Sequence, residues 1–544
     1  MTGRAPLLLA ASVLLVLLAL APATTLWDRD EPRNAGAAVE MAASGDLLVP
    51  TFNGELRARK PVLVTWLMAS AVALLGPTEL AVRLFSAAGI AVAVWLTVRT
   101  GARLLTPRAG LLAGAFLASS PLVVVQGLAA TTDAVLLAFV TLAIALFAEG
   151  LTARTSAART ALLGAALGGA LLTKGPVGLA VPLLVAGGTL AFHRDLPGGR
   201  RAKALSLLAA SLGGLALLAL WFVPANAATG GRYLAIGLGR EVLHRMAAPM
   251  EGHGGGFLVW LPYYLPVLLA GCLPWSLLLP AAVPFAVRLK GERPAAATLL
   301  LAWVAAPLAL FSLVATKLPH YVLPCFPALS LLAGGVADLA LGSRLGPAEE
   351  RWLCRGAILG SLGTVALAAG IGWAFLNTPV DGSRAPLAAL LAILAATGPP
   401  AVLLLATRRH RAGIAVLFAG TVGMELVAAG WLGPTLEALK PVPRIAAAIR
   451  RATGPEVPVA ALGFGEPSLV FYVGRPPVRF LAGAEEAAGW ARARSPGVLV
   501  ASREALDALR ASHPGLGLVP LAREAGYNVA KGEPVELVAL LRQP

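Results

Sequence analysis

Residues 203–224 read KALSLLAASLGGLALLALWFVP, and this stretch decides the class of fold. After Lys203 it contains no charged residue, and about 20 such apolar residues suffice for a helix to cross the hydrocarbon core of a bilayer. Similar runs recur along the 544-residue chain, in which 58% of the residues are hydrophobic and only 13% are charged. A soluble chain has about 25% charged residues. The composition therefore predicts a membrane protein rather than several soluble domains.

The apolar runs are continuous, whereas the strands of a membrane barrel are short and alternate in polarity, so the runs predict helices. The first run ends with Ala21-Pro22-Ala23, which leaves a cleaved signal peptide as the alternative to a retained span. We interpret it as retained. About thirteen spans are predicted, at approximately 7–26, 80–99, 108–126, 131–149, 158–173, 176–192, 203–224, 257–286, 296–315, 319–341, 354–375, 386–406 and 411–432.

The distribution of basic residues predicts the orientation of the chain. Lys and Arg outnumber Asp and Glu by 16, and most of the clustered ones lie in loops that share one side if the N-terminus is cytoplasmic. This is the bias that the positive-inside rule describes. The charge therefore indicates topology, and it does not indicate a nucleic-acid partner. An odd number of spans places the C-terminus outside, together with two long loops at about 27–79 and 225–256.

The last part of the chain differs in character from the rest. Proline punctuates the sequence from Pro434 onward, and the short β-like runs Val459–Leu462 and Val498–Ala501 flank a helical pattern at Arg503–Ala511. We predict a transmembrane domain over residues 1–433 and a small external α/β domain over residues 434–544. Within the first external loop, residues 62–76 predict a short re-entrant or interfacial helix.

Two acidic positions at the predicted external surface are candidates for chemistry. Asp30 and Glu31 stand with Arg33 where the chain leaves the first span, and Asp133 begins the fourth. Charge at this depth is costly and usually lines an aqueous cavity. The alternative for both aspartates is a helix cap without a functional role.

Basic residues on the same predicted face break the positive-inside trend. Together with the acids they outline a site suited to a phosphate-bearing lipid headgroup. A single one is also explained by a side chain that extends toward lipid headgroups. These residues are Arg59, Lys60, Lys174, Arg240, Arg245 and Lys317.

Several motifs, taken in order, resemble the ArnT/PMT-like family, which includes the bacterial aminoarabinose-to-lipid-A transferases. The first-loop block is specific, and each later motif alone is weak. Together they span nearly the whole chain. The motifs are Asp30-Glu31-Pro32-Arg33, Glu40-Met41, Ser44-Gly45-Asp46, Asn53-Gly54-Glu55, Lys60-Pro61, Thr132-Asp133, Thr173-Lys174-Gly175-Pro176, Leu273-Pro274-Trp275, Lys317-Leu318-Pro319-His320-Tyr321 and Pro467–Tyr472.

The resemblance implies a GT-C fold and a membrane glycosyltransferase that uses a polyprenyl-phosphate sugar donor. It also implies a lipid, glycan or protein acceptor and an active site on the periplasmic face of the bacterial inner membrane. Asp30 corresponds to the catalytic carboxylate and Asp133 to a second acid of the site. Lys60, Arg245 and Tyr321 correspond to the groups that hold the donor or acceptor phosphate. The reaction expected is a single displacement with inversion at the sugar.

The chain departs from the family at the positions that the resemblance associates with a metal. Arg59 stands in place of a glutamate and Arg240 in place of a histidine, and a guanidinium group cannot act as such a ligand. A metal is therefore doubtful, and the two arginines are expected to neutralise phosphate instead. His253 is an alternative ligand, with an ordinary loop histidine as the other interpretation.

Two other classes of function fit a chain with many spans. A transporter or flippase of lipid-linked sugars also needs a polar site within the membrane, but it would be expected to show paired inverted repeats, which the sequence does not suggest. A scaffold without activity is the second alternative, because the implied metal ligands are replaced. The transferase is the prediction that accounts for most of the motifs.

Overall fold

The computed structural model describes residues 3–193, 196–244, 260–378, 380–475 and 477–542. Within these ranges, nine helical segments are long and apolar enough to cross a bilayer, and two bent helix pairs bring the number to eleven. The protein is therefore a multi-pass membrane protein. Two further predicted spans, 158–173 and 176–192, coincide with helices of 18 and 17 residues. Each of the thirteen predicted segments thus contains a helix, while thirteen crossings stay a prediction.

The membrane part and its external loops consist mainly of α-helices, numbered in chain order. They are α1 (Ala5–Leu20), α2 (Asp30–Ser44), α3 (Leu63–Leu75), α4 (Glu79–Leu104), α5 (Pro107–Ala118), α6 (Pro121–Gly127), α7 (Asp133–Thr152), α8 (Ala157–Lys174), α9 (Pro176–Phe192), α10 (Arg200–Ala228), α11 (Tyr264–Gly271), α12 (Leu279–Glu292), α13 (Pro294–Leu313), α14 (Phe326–Leu341), α15 (Pro347–Asn377), α16 (Arg384–Ala406) and α17 (His410–Val427). Helical turns continue α17 to Leu439. A two-stranded hairpin, β1 (Thr51–Phe52) and β2 (Glu55–Leu56), lies in the first loop.

The two bent pairs occur where proline interrupts a long apolar run. Helices α5 and α6 meet at 65° just before Pro121, and the segment Leu261–Gly271 meets Trp275–Glu292 at 107° beside Pro274. The residue before a proline is disfavoured in the helical conformation, so a run that is continuous in composition is divided in the fold. The second bend positions Trp275, whose ring stacks on Phe116 with 3.9 Å between centroids.

The C-terminal part contains a five-stranded mixed sheet with helices on both faces. Strands β3, β4 and β5 are parallel, and the hairpin of β6 and β7 joins β5 in antiparallel pairing, which gives the order β4-β3-β5-β7-β6. The strand and helix patterns predicted from the sequence are present in it. The elements are α18 (Pro441–Ala452), β3 (Val459–Leu462), α19 (Pro467–Val473), β4 (Arg479–Leu481), α20 (Ala484–Ala491), β5 (Gly497–Ser502), α21 (Arg503–Ser512), β6 (Leu518–Asn528) and β7 (Glu533–Arg542).

The two faces of this sheet serve different cores, because alternate residues of a strand point to opposite sides. Ala460 and Leu462 pack with α20 and α21 in a small outer core. Val459 and Ala461 pack with α18 and α19, and this second core continues without a break into α2 and α3 of the first loop. The sheet is therefore joined to the first external loop by a shared hydrophobic core.

Two glycines allow α4 and α5 to pack in direct backbone contact. A Cβ atom placed on Gly110 would lie 2.4 Å from the carbonyl oxygen of Val98, and one on Gly101 would lie 2.6 Å from the Cα of Gly110. Neither contact is sterically acceptable, so the crossing depends on the absence of side chains at these two positions.

We expect Gly110→Ala to destabilise the protein by about 1–3 kcal/mol, because the two helices must move apart to accommodate the methyl group. The matched control is Gly363→Ala in α15, where an added Cβ meets no atom within 4 Å. Thermal unfolding of the purified protein in detergent should show a lower midpoint for Gly110→Ala only. Equal midpoints for the two variants would contradict the close crossing.

Candidate functional site

Asp30 is the first residue of α2 and is exposed at the protein surface. The N-cap of this helix is Arg29, and no side chain makes a capping hydrogen bond, so the interpretation of Asp30 as a cap is wrong. The positive charge of Lys60 is the main cause that lowers the pKa of Asp30, and His320, Arg33 and Arg57 act in the same direction. Asp30 is therefore a carboxylate at neutral pH, held among cations.

Asp133 is the first residue of α7 and is buried, with 4% of its side chain exposed. Thr132 is the N-cap and makes no side-chain capping bond. One carboxylate oxygen of Asp133 accepts a 2.5 Å hydrogen bond from the ammonium of Lys174. Its other oxygen lies 3.9 Å from Nε2 of His320. A buried carboxylate with these partners is more than a helix cap.

Lys60 links the two aspartates electrostatically. Burial is the main cause that lowers the pKa of Lys60, and the negative charge of Asp30 opposes it. Lys174 and Asp133 also act on the ammonium of Lys60. The structure thus brings Asp30, Asp133, Lys60 and Lys174 into one charged cluster, although they come from four separate parts of the chain.

Tyr321 and His320 complete the cluster from the turn that precedes α14. The ammonium of Lys174 lies 4.9 Å from the centre of the Tyr321 ring, a cation–π distance. The rings of His320 and Tyr321 meet edge to face at 5.2 Å. Tyr321 was predicted as a site residue, whereas His320 was recognised only as part of its motif.

Glu31 belongs to the scaffold that places α2. Its carboxylate accepts hydrogen bonds at 3.0 and 2.9 Å from Nε and Nη2 of Arg83, whose side chain is only 1% exposed. It also accepts from the backbone N–H groups of Trp27 at 2.8 Å and Ala130 at 2.6 Å. These contacts fix the start of α2 against α4 and the turn before α7.

Arg57 is a further cation near Asp30, and the sequence analysis did not identify it. It donates a 2.6 Å hydrogen bond to the side-chain oxygen of Asn34, and the amide of Asn34 donates to the carbonyl oxygen of Ala130 at 3.0 Å. Burial is the main cause that lowers the pKa of Arg57 to about 10, and the charge of Asp30 opposes it. Asn34 thus orients the guanidinium of Arg57.

The remaining predicted cations are placed differently. Nε of Arg59 lies 3.9 Å from a carboxylate oxygen of Glu241, which connects the first loop to the later one. Arg240 is exposed in the helical segment Ala235–His244. Arg33 contributes its positive charge to the environment of Asp30. Arg245 and His253 lie outside the described residues.

Lys317 does not join the cluster by any contact that the structure describes. Its ammonium donates hydrogen bonds to the carbonyl oxygens of Phe311 at 3.0 Å and Ser312 at 2.6 Å, at the end of α13. These carbonyls have no partner within the helix, which explains why a nearby lysine binds them. In the structure Lys317 thus closes this helix end, and its role in binding phosphate stays a prediction.

The described residues do not match the metal site that the resemblance associates with this part of the fold. They contain no group of three or more His, Cys, Asp and Glu side chains arranged to hold a metal ion. Arg59 has no acceptor atom for a metal and faces Glu241 instead. No step of the proposed reaction is assigned to a metal.

Comparisons of the sequence and the fold with known proteins identify similar membrane proteins. Residues 59–223 match the family model for dolichyl-phosphate-mannose-protein mannosyltransferase. The undecaprenyl phosphate-alpha-4-amino-4-deoxy-L-arabinose arabinosyl transferase of Aeromonas salmonicida is 35% identical over 58% of this chain and 56% of its own length. A protein of the same type from Pseudomonas fluorescens is 31% identical over 69% of this chain and 63% of its own length.

The region aligned with this chain thus covers less than two thirds of the length of each of these two relatives. A solved structure covers more: ArnT from Cupriavidus metallidurans bound to undecaprenyl phosphate superimposes with a TM-score of 0.78, at 23% identity, over 99% of this chain and 98% of that one. This likeness is one of fold.

The fold defines a polytopic membrane protein of the GT-C type. The resemblance to the ArnT/PMT-like family that the motifs indicate is confirmed by these relatives.

We expect Arg83→Gln to lower the free energy of unfolding by about 3–5 kcal/mol, because it leaves the charge of Glu31 buried without its partner. Thermal unfolding in detergent measures this as a large fall in the midpoint. The double variant Arg83→Gln/Glu31→Gln should recover part of the loss, since it removes both charges.

The matched control for this prediction is Arg479→Gln. Arg479 pairs with Glu486 at 2.8 Å, but 63% of its side chain is exposed, and such pairs contribute at most about 1 kcal/mol. If the two arginine variants unfolded at the same temperature, Arg83 would not be the anchor of α2.

Proposed function

We propose that this chain is a membrane glycosyltransferase that moves a sugar from a polyprenyl-phosphate donor to an extracytoplasmic acceptor. The observation that carries the proposal is the cluster in which Asp30 and Asp133 face Lys60 and Lys174 at one end of the membrane helices. Relatives at 31–35% identity are named as arabinosyl transferases that act with undecaprenyl phosphate, and the structural neighbour was solved with undecaprenyl phosphate bound. These names describe the relatives, and they support the same class of donor for this chain.

The cations of the cluster are suited to the leaving group. In a single displacement, an acceptor oxygen attacks the anomeric carbon while the bond to the lipid phosphate breaks, with inversion at that carbon. Negative charge then develops on the departing phosphate. Lys60, with Arg57 and Arg59 beside it, is placed to offset this charge, and cations held in position by the protein do so without reorganisation. Arg240, Arg245 and Tyr321 remain further candidates for holding phosphate.

The charges around Asp30 favour a role in orienting the acceptor over a role as general base. An efficient general base has a pKa near the working pH, whereas cations lower the pKa of Asp30 below its ordinary value. Asp30 is then a weak base, and it acts best by orienting an acceptor that is already ionised, such as a phosphate. Asp133 holds Lys174 and His320 in place from the opposite side.

The placement of the chain follows from this function. We propose that it lies in the bacterial inner membrane with the site facing the periplasm, where a lipid A or another envelope glycan is accessible as acceptor. Residues 1–433 form the transferase domain, with site loops at 27–79 and 225–256, and residues 434–544 form a periplasmic α/β domain.

We expect Asp30→Asn to lower kcat for sugar transfer by at least about 100-fold, because the charged group that orients the acceptor is lost. The assay uses the full chain in nanodiscs with polyprenyl-phosphate sugars and detects the glycosylated acceptor by mass spectrometry. The matched control is Asp46→Asn in the same loop, where Asp46 caps the N–H groups of Leu48 and Val49. Asp46→Asn should retain the activity of the wild type.

Two results of this assay would contradict the proposal. Near wild-type turnover by Asp30→Asn would exclude Asp30 as the catalytic carboxylate. Movement of the lipid-linked sugar across the bilayer without any transfer, over a broad panel of donors and acceptors, would support a flippase instead.

A further inference from the structure

The five residues that lead into Asp30 are all held by the C-terminal part of the chain. We call residues 25–29 the entry segment. Thr25 donates a 2.5 Å hydrogen bond to Glu437, and its carbonyl oxygen accepts one at 2.9 Å from the ammonium of Lys440. The ammonium of Lys440 also lies 3.6 Å from the centre of the Trp27 ring.

Leu26 is held by Tyr472, a residue of α19. The backbone N–H of Leu26 donates to the hydroxyl of Tyr472 at 2.6 Å, and this hydroxyl donates in turn to Glu79 at 2.8 Å. Tyr472 therefore connects three regions: the entry segment, the start of α4 and the C-terminal sheet domain.

Asp28 and Arg29, the two residues before Asp30, contact the C-terminal domain through their side chains. The carboxylate of Asp28 accepts hydrogen bonds from the backbone N–H of Ser468 at 2.9 Å and from its hydroxyl at 2.5 Å. The guanidinium of Arg29 donates to both carboxylate oxygens of Glu466, at 3.0 and 3.3 Å. We call Glu466 and Ser468 the clamp. Both are buried, and Asn528 of β6 supports Glu466 at 3.3 Å.

These contacts do more than attach one domain to another. An attachment needs buried area, which the second core already provides, and it can lie anywhere on the shared surface. Most of the polar contacts that the structure describes between the two parts instead fall on five consecutive residues, which end immediately before the proposed catalytic carboxylate. The others are two hydrogen bonds between Asn53 and Val478 and the one from Tyr472 to Glu79. Glu31, on the other side of Asp30, is fixed independently by Arg83. Asp30 is therefore fixed from two directions, and one of them is the C-terminal domain.

We propose that Asp28, Glu466 and Ser468 are positioning residues through which the C-terminal domain sets the geometry of Asp30 for catalysis, an inference that rests on the proposed transferase function. A displacement of about 1 Å at a reacting group can cost about 100-fold in rate. The clamp binds the side chains of Arg29 and Asp28, one and two residues before Asp30, so its loss moves Asp30 without removing any group proposed to bind phosphate.

The clamp also responds to pH. Burial is the main cause that raises the pKa of Asp28 to about 6, the donors of Ser468 oppose it, and the charged groups that face it are Glu466 and Lys440. Below pH of about 6 the carboxyl is protonated and loses an acceptor for Ser468. The same protonation favours the folded state, because the pKa is higher there than in the unfolded chain, so this group adds stability as pH falls through that window.

The experiment compares Asp28→Asn, Ser468→Ala and the double variant in the full chain in nanodiscs. We expect each single variant to lower kcat by about tenfold to 100-fold, with KM for the lipid donor changed less than about twofold. The double variant should be no worse than the singles, since both remove the same contact. Ser468→Thr keeps the hydroxyl and should restore most of kcat.

Two further readouts separate positioning from a purely structural role. In the wild type, kcat should fall as pH decreases through about 6 while the unfolding midpoint does not, and Asp28→Asn should lack this step. Hydrogen exchange of the backbone amides at residues 26–33 should be at least about tenfold faster in the single variants. The matched control is Arg523→Gln, an exposed ion-pair residue of the same domain, which should leave all readouts unchanged.

Each possible outcome of these experiments supports or overturns the proposed positioning role of the clamp. Wild-type kcat and exchange rates in Asp28→Asn and Ser468→Ala would overturn the proposal, as would a loss of kcat that only follows a lower unfolding midpoint. If the wild type transfers no sugar, the proposed function fails. Faster exchange confined to residues 26–33 would then still support the clamp, and unchanged exchange would refute it.

Discussion

The buried contact between Arg83 and Glu31 is the interaction on which the position of α2 and of the site beside it depends. Arg83 projects from a membrane-spanning helix, and besides Glu31 it donates to the carbonyl oxygens of Ala21, Thr24 and Thr25. A single guanidinium thus satisfies the end of α1, the turn that follows it and the start of α2. An uncompensated charge at this depth would be very costly, so the pair fixes a unique path for the chain.

The charged cluster lies at helix ends, where the boundary between lipid and water is predicted. Asp133 begins a helix long and apolar enough to span the membrane, and Lys174 ends the helix that follows it. Their ion pair is largely buried by protein, and opposite charges attract more strongly in such surroundings than in water. The same arrangement leaves Asp30 exposed and ionised, which suits a substrate whose phosphate lies at the membrane surface.

Much of this arrangement could be predicted because the relevant signals are local. In lipid each backbone group must find a partner within the segment, so long apolar runs had to be helices. Asp30 and Asp133 stood out because charge at this predicted depth is costly and usually lines an aqueous cavity. Arg57 was missed because its importance comes from burial beside Asn34. The contact of Lys317 with the end of α13 was not foreseen because its side chain turns back toward the preceding helix. The clamp was invisible because Arg29 and Glu466 are 437 positions apart.

The 437 positions between Arg29 and Glu466 also determine when their contact can form during synthesis of the chain. A ribosome completes the helices of the membrane part before it synthesises α19, so the first external loop must wait for its partner through most of translation. The apolar surfaces of α2 and α3 that later enter the second core are uncovered during this interval. Contacts between distant segments form late in folding because loop closure must precede them. A product that ends before α19 would therefore contain the residues of the charged cluster but lack the clamp on the entry segment.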